Sequence, residues 1–429
     1  MTDRVSFDIC FNNDKKTKKN INLKSGINVI YGEGGIGKTR LAQALISKTC
    51  KGLGNFKLKN IISPENIQII DHNPLEYFVC ETIEEDLAFG LECNLNDQLL
   101  LSRKFKKLKK NLNFISNWNL HPTKLSCGEM QIMNLFSAFS INPNLLVINN
   151  GLLYVSNINK AKYFKIAKKF SEVDTIVVWL TSEYSDLDFG DTVWELSSND
   201  LCHPNLKNPI YKKNNITKNS LSLKIKNLKF KYLNSQKIVF NDLSFYGKEM
   251  SCLGITGQNG AGKSTLVKLI SGIESPINGQ ILLNINSKKP LLGILDQIPE
   301  NLYNGLSFFE IIEKLKYHGR IEKDKIEKIN YDLSSLAIDI EIYKYLPIEE
   351  ISPYVVKAVL TIILFNCNFN LLILDEPTYN FGISQKIIYS DILSKIKQEK
   401  HLIIFSHDFE FLKYNCDNIL NIDESETIN

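Results

Sequence analysis

The chain has 429 residues, enough for two or three domains that each bury a sizeable core. Its 44% hydrophobic and 23% charged content is that of a soluble globular protein. A formal charge of +4 on 51 basic and 47 acidic residues is too small to point to nucleic acid, and nine cysteines that occur singly fit a reducing compartment rather than a disulfide framework.

From the N-terminus, Met1 leads into TDRVSF with no basic segment and apolar core, so no signal peptide is expected. VIYGEGGIGKTRLAQAL (29–45) reads as an apolar strand, a glycine-rich loop and a helix opened by Lys-Thr. The loop fits G-x-x-x-x-G-K-[ST] as Gly32, Glu33, Gly34, Gly35, Ile36, Gly37, Lys38 and Thr39. Glycines let successive backbone N–H groups turn inward around phosphate oxygens. The helix N-terminus adds its partial positive charge, Lys38 reaches the terminal phosphates and Thr39 ligates Mg²⁺. Farther on, ETIEEDLAFG (81–90) offers a helix start with Thr82 as cap and Glu84, Glu85 and Asp86 in the first turn. SRKFKKLKKN (102–111) reads as an amphipathic helix with Phe105 and Leu108 at i, i+3 and a solvated lysine face. LLVINNGLLYV (145–155) is a buried strand that ends at Asn149 and Asn150. Strands of this kind commonly stop at acids that hold a metal ion over a phosphate, and two amides carry no such charge. SSNDLCHPNLKNPIYKKNNITKNS (197–220) is polar, with Pro and Asn, and reads as a tether.

The second half repeats the device. GITGQNGAGKSTLVKLI (254–270) places its lysine 225 positions after the first, in a loop of Gly257, Gln258, Asn259, Gly260, Ala261, Gly262, Lys263 and Ser264, followed by Thr265. Gln297, in GILDQIPENL (293–302), is expected on a loop, where it would sense Mg²⁺ and the attacking water. YVVKAVLTIILFNCNFNLLILDEP (354–377) is the most apolar region. Interrupted by Lys357 and NCNFN, it reads as a buried helix and a buried strand, not a membrane span. That strand ends in Asp375, placed to hold Mg²⁺ directly or through water, and Glu376, placed to orient or deprotonate a water. HLIIFSHDFEFL (401–412) brings His407 within reach of a γ-phosphate in a parallel-sheet arrangement. Singly, His407 reads as a strand-end histidine and Gln297 as a surface residue; their order and spacing favour a site.

The order of P-loop, glutamine loop, signature, D-E-P-T and histidine resembles the nucleotide-binding subunits of ATP-binding cassette (ABC) transporters, over nearly the whole chain. The resemblance implies two tandem P-loop α/β cassettes, each a mainly parallel sheet with a helical subdomain, at 1–200 and 221–429, joined by a linker at 201–220. It implies ATPase activity with ATP and Mg²⁺ as cofactors. It also identifies LSCGE (125–129) as a signature whose Ser126, Cys127 and Gly128 contact nucleotide; Cys127 replaces one of the family's glycines, and its small size makes it tolerable. Leu125 lies 24 positions before Asn149, and the same step back from Asp375 reaches Ile351 in ISPYV, which keeps Ser352 but has Pro353 and Tyr354 for the glycines. Asn149 and Asn150 then take the places of the metal-holding Asp and catalytic Glu, Ser182 that of the histidine, and His72 that of the glutamine.

In the family two cassettes pair head to tail, so each ATP lies between one P-loop and the other half's signature. Site one would combine Lys38, Thr39, Asn149, Asn150 and Ser182 with ISPYV, where Pro353 has no N–H and Tyr354 adds bulk. Site two would combine Lys263, Ser264, Gln297, Asp375, Glu376 and His407 with LSCGE. Random decay would scatter the damage; it falls on one site, which is expected to bind nucleotide without hydrolysing it. Two departures bear on communication between the sites: Gly382 and Ser156 stand where the family has an Asp after the acidic strand end. Tyr232, closing NLKFKY, is the candidate for stacking on adenine, with Phe11 its only neighbourly counterpart in the first half.

NPLEYFVCETIEEDLAFG (73–90) closely resembles the segment after the glutamine in energy-coupling factor ATPases, which drive uptake of vitamins or metal ions. That implies an integral-membrane scaffold and a substrate-capturing subunit as partners, one chain per complex as an internal pseudo-dimer, and a peripheral place on the cytoplasmic face of the membrane, with no nucleic acid. Two alternatives stay open: a soluble tandem ATPase acting on the ribosome or nucleic acid, and the ATPase of a sugar importer. The linker is too short for the long charged insert of ribosome-acting tandem cassettes, and no paired cysteines suggest an iron–sulfur domain.

Overall fold

The computed structural model describes residues 4–11, 18–49, 56–93, 97–169, 174–204, 220–233, 238–258, 260–303, 305–322, 325–336, 338–423 and 426–428. The chain divides into two compact units, Met1–Lys207 and Asn208–Asn429. Most of the tether, 205–219, lies outside the described residues, as does Asn259.

In the first unit β1 (Val5–Phe11) pairs antiparallel with β2 (Lys18–Leu23) and β4 (Phe56–Ile62), while β3 (Gly26–Gly32) leads into α1 (Lys38–Ser47). The main sheet runs in the order β5 (Ile67–Ile70), β6 (Leu145–Asn149), β7 (Ile176–Thr181), β3, β8 (Thr192–Leu196), β9 (Leu201–Cys202), parallel except for the last pair. The first residues assigned to the tether thus belong to this sheet. Between β5 and β6 the chain forms α2 (Ile83–Glu92), α3 (Gln98–Asn111) and α4 (Cys127–Ser140), and α5 (Asn157–Lys168) follows β6.

The period-two alternation of a strand explains how one sheet builds two cores. Leu145 and Val147 face α1 and the antiparallel sheet, whereas Leu146 and Ile148 face the helical layer, where Trp179 stacks between Phe164 and Phe189. Each such fully buried aliphatic side chain contributes roughly 1.5–3 kcal/mol. Thr82 caps α2 as its sequence predicts: its hydroxyl accepts from the Glu85 N–H at 3.2 Å and the Glu85 carboxylate accepts from the Thr82 N–H at 3.1 Å.

The second unit repeats this plan. β10 (Leu221–Phe230), β11 (Phe240–Met250) and β13 (Asn278–Ile285) form the antiparallel sheet, and β12 (Cys252–Thr256) leads into α6 (Lys263–Ser271). The main sheet runs β14 (Leu292–Leu295), β15 (Leu371–Asp375), β16 (His401–Phe405), β12, β17 (Asn418–Asn421), β18 (Glu426–Ile428). Between β14 and β15 lie α7 (Phe308–Tyr317), α8 (Lys325–Ser334), α9 (Ile340–Tyr343) and α10 (Pro353–Asn366); α11 (Ile383–Glu399) and α12 (Phe409–Asn415) complete the unit. The apolar stretch 354–377 is α10 and β15, as its interruptions suggest, and every residue of α10 is buried. Among the described residues no helix is long and apolar enough to cross a membrane.

Candidate functional site

Each P-loop leaves the end of a central strand and turns through left-handed glycines, Gly35 (φ 78°) and Gly37 (φ 115°) in the first unit, Gly260 (φ 80°) and Gly262 (φ 104°) in the second. A Cβ at Gly37 would stand 2.9 Å from Phe56, and one at Gly262 2.7 Å from Val239, so only glycine fits. Lys38 Nζ donates to the carbonyl oxygens of Gly32 at 2.6 Å and Glu33 at 2.9 Å, and Lys263 Nζ to that of Gly257 at 2.7 Å. Burial pushes the Lys38 ammonium down to about 7. Gln258 N–H donates to Asp423 at 2.6 Å, tying the second loop to the end of β17.

In the second unit the strand ends bring the sequence-predicted acids together with this loop. Ser264 Oγ donates to Asp375 Oδ2 at 3.0 Å, with Gln297 Oε1 3.5 Å away. Asp375 is 3% exposed, and its Oδ1 has no hydrogen-bond partner among the described residues. Burial, with Glu376 and Asp296 close by, pushes its carboxyl up to about 7. A buried carboxylate oxygen without a donor, beside a hydroxyl, fits a divalent cation, and a glycine turn into a helix N-terminus that begins with a lysine fits nucleotide phosphates.

Glu376 occupies a left-handed turn (φ 47°) closed by its N–H donating to Phe405 O at 2.8 Å. Its carboxylate accepts from His407 N at 3.1 Å and Ser406 Oγ at 3.1 Å, and Oε2 lies 3.0 Å from His407 Nδ1. Lys263 Nζ is 3.9 Å from Oε1. Burial opposes ionisation, yet His407, Lys263 and Lys357 outweigh it and hold the carboxyl down at about 2. Lys357 lies behind this turn, 1% exposed, donating to the carbonyl oxygen of Glu376 and, at 3.5 Å, to that of Asp375. Burial lowers its own ammonium to about 8.

The first unit has the same turn with different side chains. Asn150 (φ 52°) donates its N–H to Leu180 O at 2.8 Å, and its Oδ1 accepts from Ser182 N at 3.1 Å. Asn149 Nδ2 donates to Thr39 Oγ1 at 3.0 Å and to Asp71 Oδ1 at 2.7 Å, with His72 Nδ1 2.8 Å from the same oxygen. Sequence reasoning missed Asp71, Asp296 and Lys357. The signal for the two aspartates lay in IIDHN and ILDQI, where each directly precedes a residue singled out for the glutamine position.

The two signature segments differ in their caps. Ser126 Oγ accepts from Glu129 N at 3.3 Å while Glu129 Oε2 accepts from Ser126 N at 2.9 Å, so Cys127 and Gly128 open α4 under a closed capping box. Ser352 makes no side-chain cap bond, and Pro353 is the first residue of α10. Tyr354 corrects the expectation of bulk at the phosphate approach. Its ring turns inward onto Phe381, and its hydroxyl donates to Leu336 O at 3.2 Å. The change to the helix N-terminus is therefore the missing Pro353 N–H. Ser156 and Gly382 sit alike, at the N-caps of α5 and α11. Tyr232 is half-buried beside α6, its hydroxyl 3.1 Å from Thr265 Oγ1, whereas Phe11 is buried edge-on against Phe56.

The family model described as ABC transporter matches residues 240–379. The chain is 32% identical over 222 residues to the energy-coupling factor transporter ATP-binding protein EcfA1 of Mycoplasmoides gallisepticum, covering 49% of this chain and 77% of that protein. A putative ABC transporter ATP-binding protein of Bacillus cereus is 25% identical over 425 residues, covering 82% of this chain and 73% of the relative. Among solved structures, a model of ribosome-bound archaeal Pelota and ABCE1 superposes with a TM-score of 0.65 over 93% of this chain and 73% of the matched one, at 15% identity, a likeness of fold. With two phosphate-binding loops on two copies of one sheet, the chain belongs to the ABC transporter ATPases and carries two cassettes in tandem.

Proposed function

We propose that this ATPase powers an importer of the energy-coupling factor type, hydrolysing ATP at the second unit's P-loop and retaining nucleotide at the first. The observation that carries the asymmetry is the shared turn: Glu376 with His407 in one unit, Asn150 with Ser182 in the other, on matching backbone hydrogen bonds. ATP with Mg²⁺ supplies the phosphoryl group that water attacks and the charge that offsets it. Ser264, Gln297 and Asp375 hold the metal side. Lys263, with the loop N–H groups of residues 257–265, binds the phosphates, and Tyr232 stacks on the base. Glu376, ionised throughout the neutral range, takes the proton of water on a carboxylate oxygen, and His407 keeps that carboxylate oriented. In the first unit an amide in place of Glu376 takes up no proton, so residues 32–39 bind without turnover.

The similarity to EcfA1 supports the importer class, and so do exposed apolar side chains in the segments after the glutamine position. Val79 and Phe89 stand out in the first unit; Leu302, Phe309, Ile342 and Tyr345 do so in the second, with the Phe309 and Tyr345 rings 5.3 Å apart. Surfaces of this kind favour docking of an apolar partner. That partner is an integral-membrane scaffold, joined by a subunit that captures a vitamin or metal ion, which puts this chain on the cytoplasmic face of the membrane. The test is purification of the tagged full chain from native lysate after membranes and ribosomes are separated, with identification of what stays bound. Recovery of a multi-span membrane protein is expected. Recovery with ribosomes and no membrane protein would overturn the importer reading in favour of a soluble tandem ATPase.

A further inference from the structure

The first unit has lost the carboxylate at the end of β6, yet a carboxylate remains at the same depth on the neighbouring strand. β5 and β6 run parallel with Ile70 opposite Ile148, so the next residues, Asp71 and Asn149, leave the sheet side by side. Asn149 Nδ2 bridges Asp71 Oδ1 at 2.7 Å and Thr39 Oγ1 at 3.0 Å, which ties the aspartate to the P-loop hydroxyl through one amide. The same amide carries a second, independent sign. Asn149 is 1% exposed, and its Oδ1 has no hydrogen-bond partner among the described residues. Oδ1 of Asn149 thus stands where Oδ1 of Asp375 stands in the second unit, buried and without a donor.

We infer that Asp71 supplies the negative charge for a divalent cation in the first unit, completing with Thr39 Oγ1 and Asn149 Oδ1 an oxygen set for a metal–nucleoside triphosphate complex. The inference rests on the reading that this unit's P-loop holds nucleotide. Hard divalent cations take oxygen ligands of this mixed kind, in which an amide or hydroxyl oxygen suffices at some positions when one carboxylate offsets charge. The amide turns Nδ2 toward Thr39 Oγ1 and Asp71 Oδ1, and half a turn about its terminal bond brings Oδ1 to the same two oxygens, the rotation that entry of a cation requires. In the second unit Asp296 pairs with Asp375 across the strands in the same way, so the first unit keeps one acid of two. His72 Nδ1, 2.8 Å from Asp71 Oδ1, helps to fix the carboxylate's orientation.

The test counts Mn²⁺ and ATP on the full chain carrying Glu376→Gln, which keeps ATP intact, using electron paramagnetic resonance for the metal. Two ATP and two Mn²⁺ per chain are expected. Asp71→Asn should weaken one Mn²⁺ by roughly 10–100-fold. Adding Asn149→Asp to Asp71→Asn returns a carboxylate to the neighbouring strand and should restore that Mn²⁺, which separates loss of charge from loss of fold. Unchanged Mn²⁺ affinity in Asp71→Asn, no recovery in the double variant, or two ATP with a single Mn²⁺ would each overturn this assignment while leaving the nucleotide reading intact. A single ATP per chain that Lys38→Ala does not remove would overturn both.

Discussion

The two strand-end turns, 149–150 and 375–376, differ in chemistry and agree in backbone. Asn150 and Glu376 are both left-handed, both donate their N–H to the neighbouring strand at 2.8 Å, and both accept from the main-chain N–H of the switch position at 3.1 Å. The turn is therefore set by strand pairing and by the residue count between β6 or β15 and the next helix, not by the catalytic side chain. Asparagine is also at ease in that conformation, whereas Glu376 is held in it against preference, by surroundings that also keep it charged. A site built this way can lose its base without losing its shape, so binding and turnover separate between the units.

The largest effect should come from Glu376→Gln, which keeps the hydrogen-bonding outline and removes the base. Steady-state hydrolysis is expected to fall by roughly 10²–10⁴-fold with ATP still bound. Turnover within a few-fold of the parent would show the first unit to be catalytic and erase the contrast. Lysine removal sharpens the same comparison. Lys263→Ala should lower hydrolysis strongly, though by no more than Glu376→Gln, while Lys38→Ala should lower the number of ATP retained per chain from two to one and leave turnover nearer that of the parent. Equal loss in both variants would merge the two roles.

A smaller contrast lies behind the turns. Lys357, buried in α10, donates to the carbonyl of Glu376, whereas Gln131 in α4 accepts from the Tyr154 N–H at 2.9 Å. Lys357→Met strips a buried carbonyl of its donor and should cost roughly 1–3 kcal/mol in denaturant unfolding of the second unit; Lys357→Gln should cost less. Equal stability of Lys357→Met and the parent would show the ammonium's burial to be as costly as its hydrogen bonds are favourable.

How much of this was legible in the sequence depended on the range of the interaction. Both P-loops, the apolar strands and the matched 24-residue spacing are local patterns, and the fold followed from their repetition. The alignment of Ser182 with His407 was also legible, because β7 and β16 are continuous apolar runs that can be counted. The bridge from Asn149 to Asp71 was not, since it requires knowing that β5 lies beside β6 and in which register. Lys357 read as a break in an apolar stretch because nothing local tells a buried, carbonyl-bound ammonium from a surface one. Tyr354 misled for a related reason: its direction is decided by Phe381 and Leu336, distant in sequence. The buried pair Lys160–Asp186 (2.6 Å) and the part-buried pair Lys386–Asp408 (2.8 Å) show the same limit, since equivalent helices α5 and α11 use acids from different positions.

The finest test of the comparison is pH. Burial holds Lys38 near 7 without phosphate, so above that pH the first unit's lysine is largely neutral. Phosphate stabilises the ammonium, so binding above pH 7 takes up a proton, and affinity should fall as pH rises, by at most about tenfold per unit. Below pH 7 the lysine is already charged, and affinity should level off. In the Lys263→Ala chain, where the first unit alone retains its loop lysine, titration of ATP from pH 6 to 9 should show this bend near 7. Replacing Lys38 with Arg, which stays charged throughout, should flatten the curve even if overall affinity drops. A bend that survives Lys38→Arg would place the titrating group elsewhere, and a flat profile in the parent loop would mean that the lysine is already charged before nucleotide arrives.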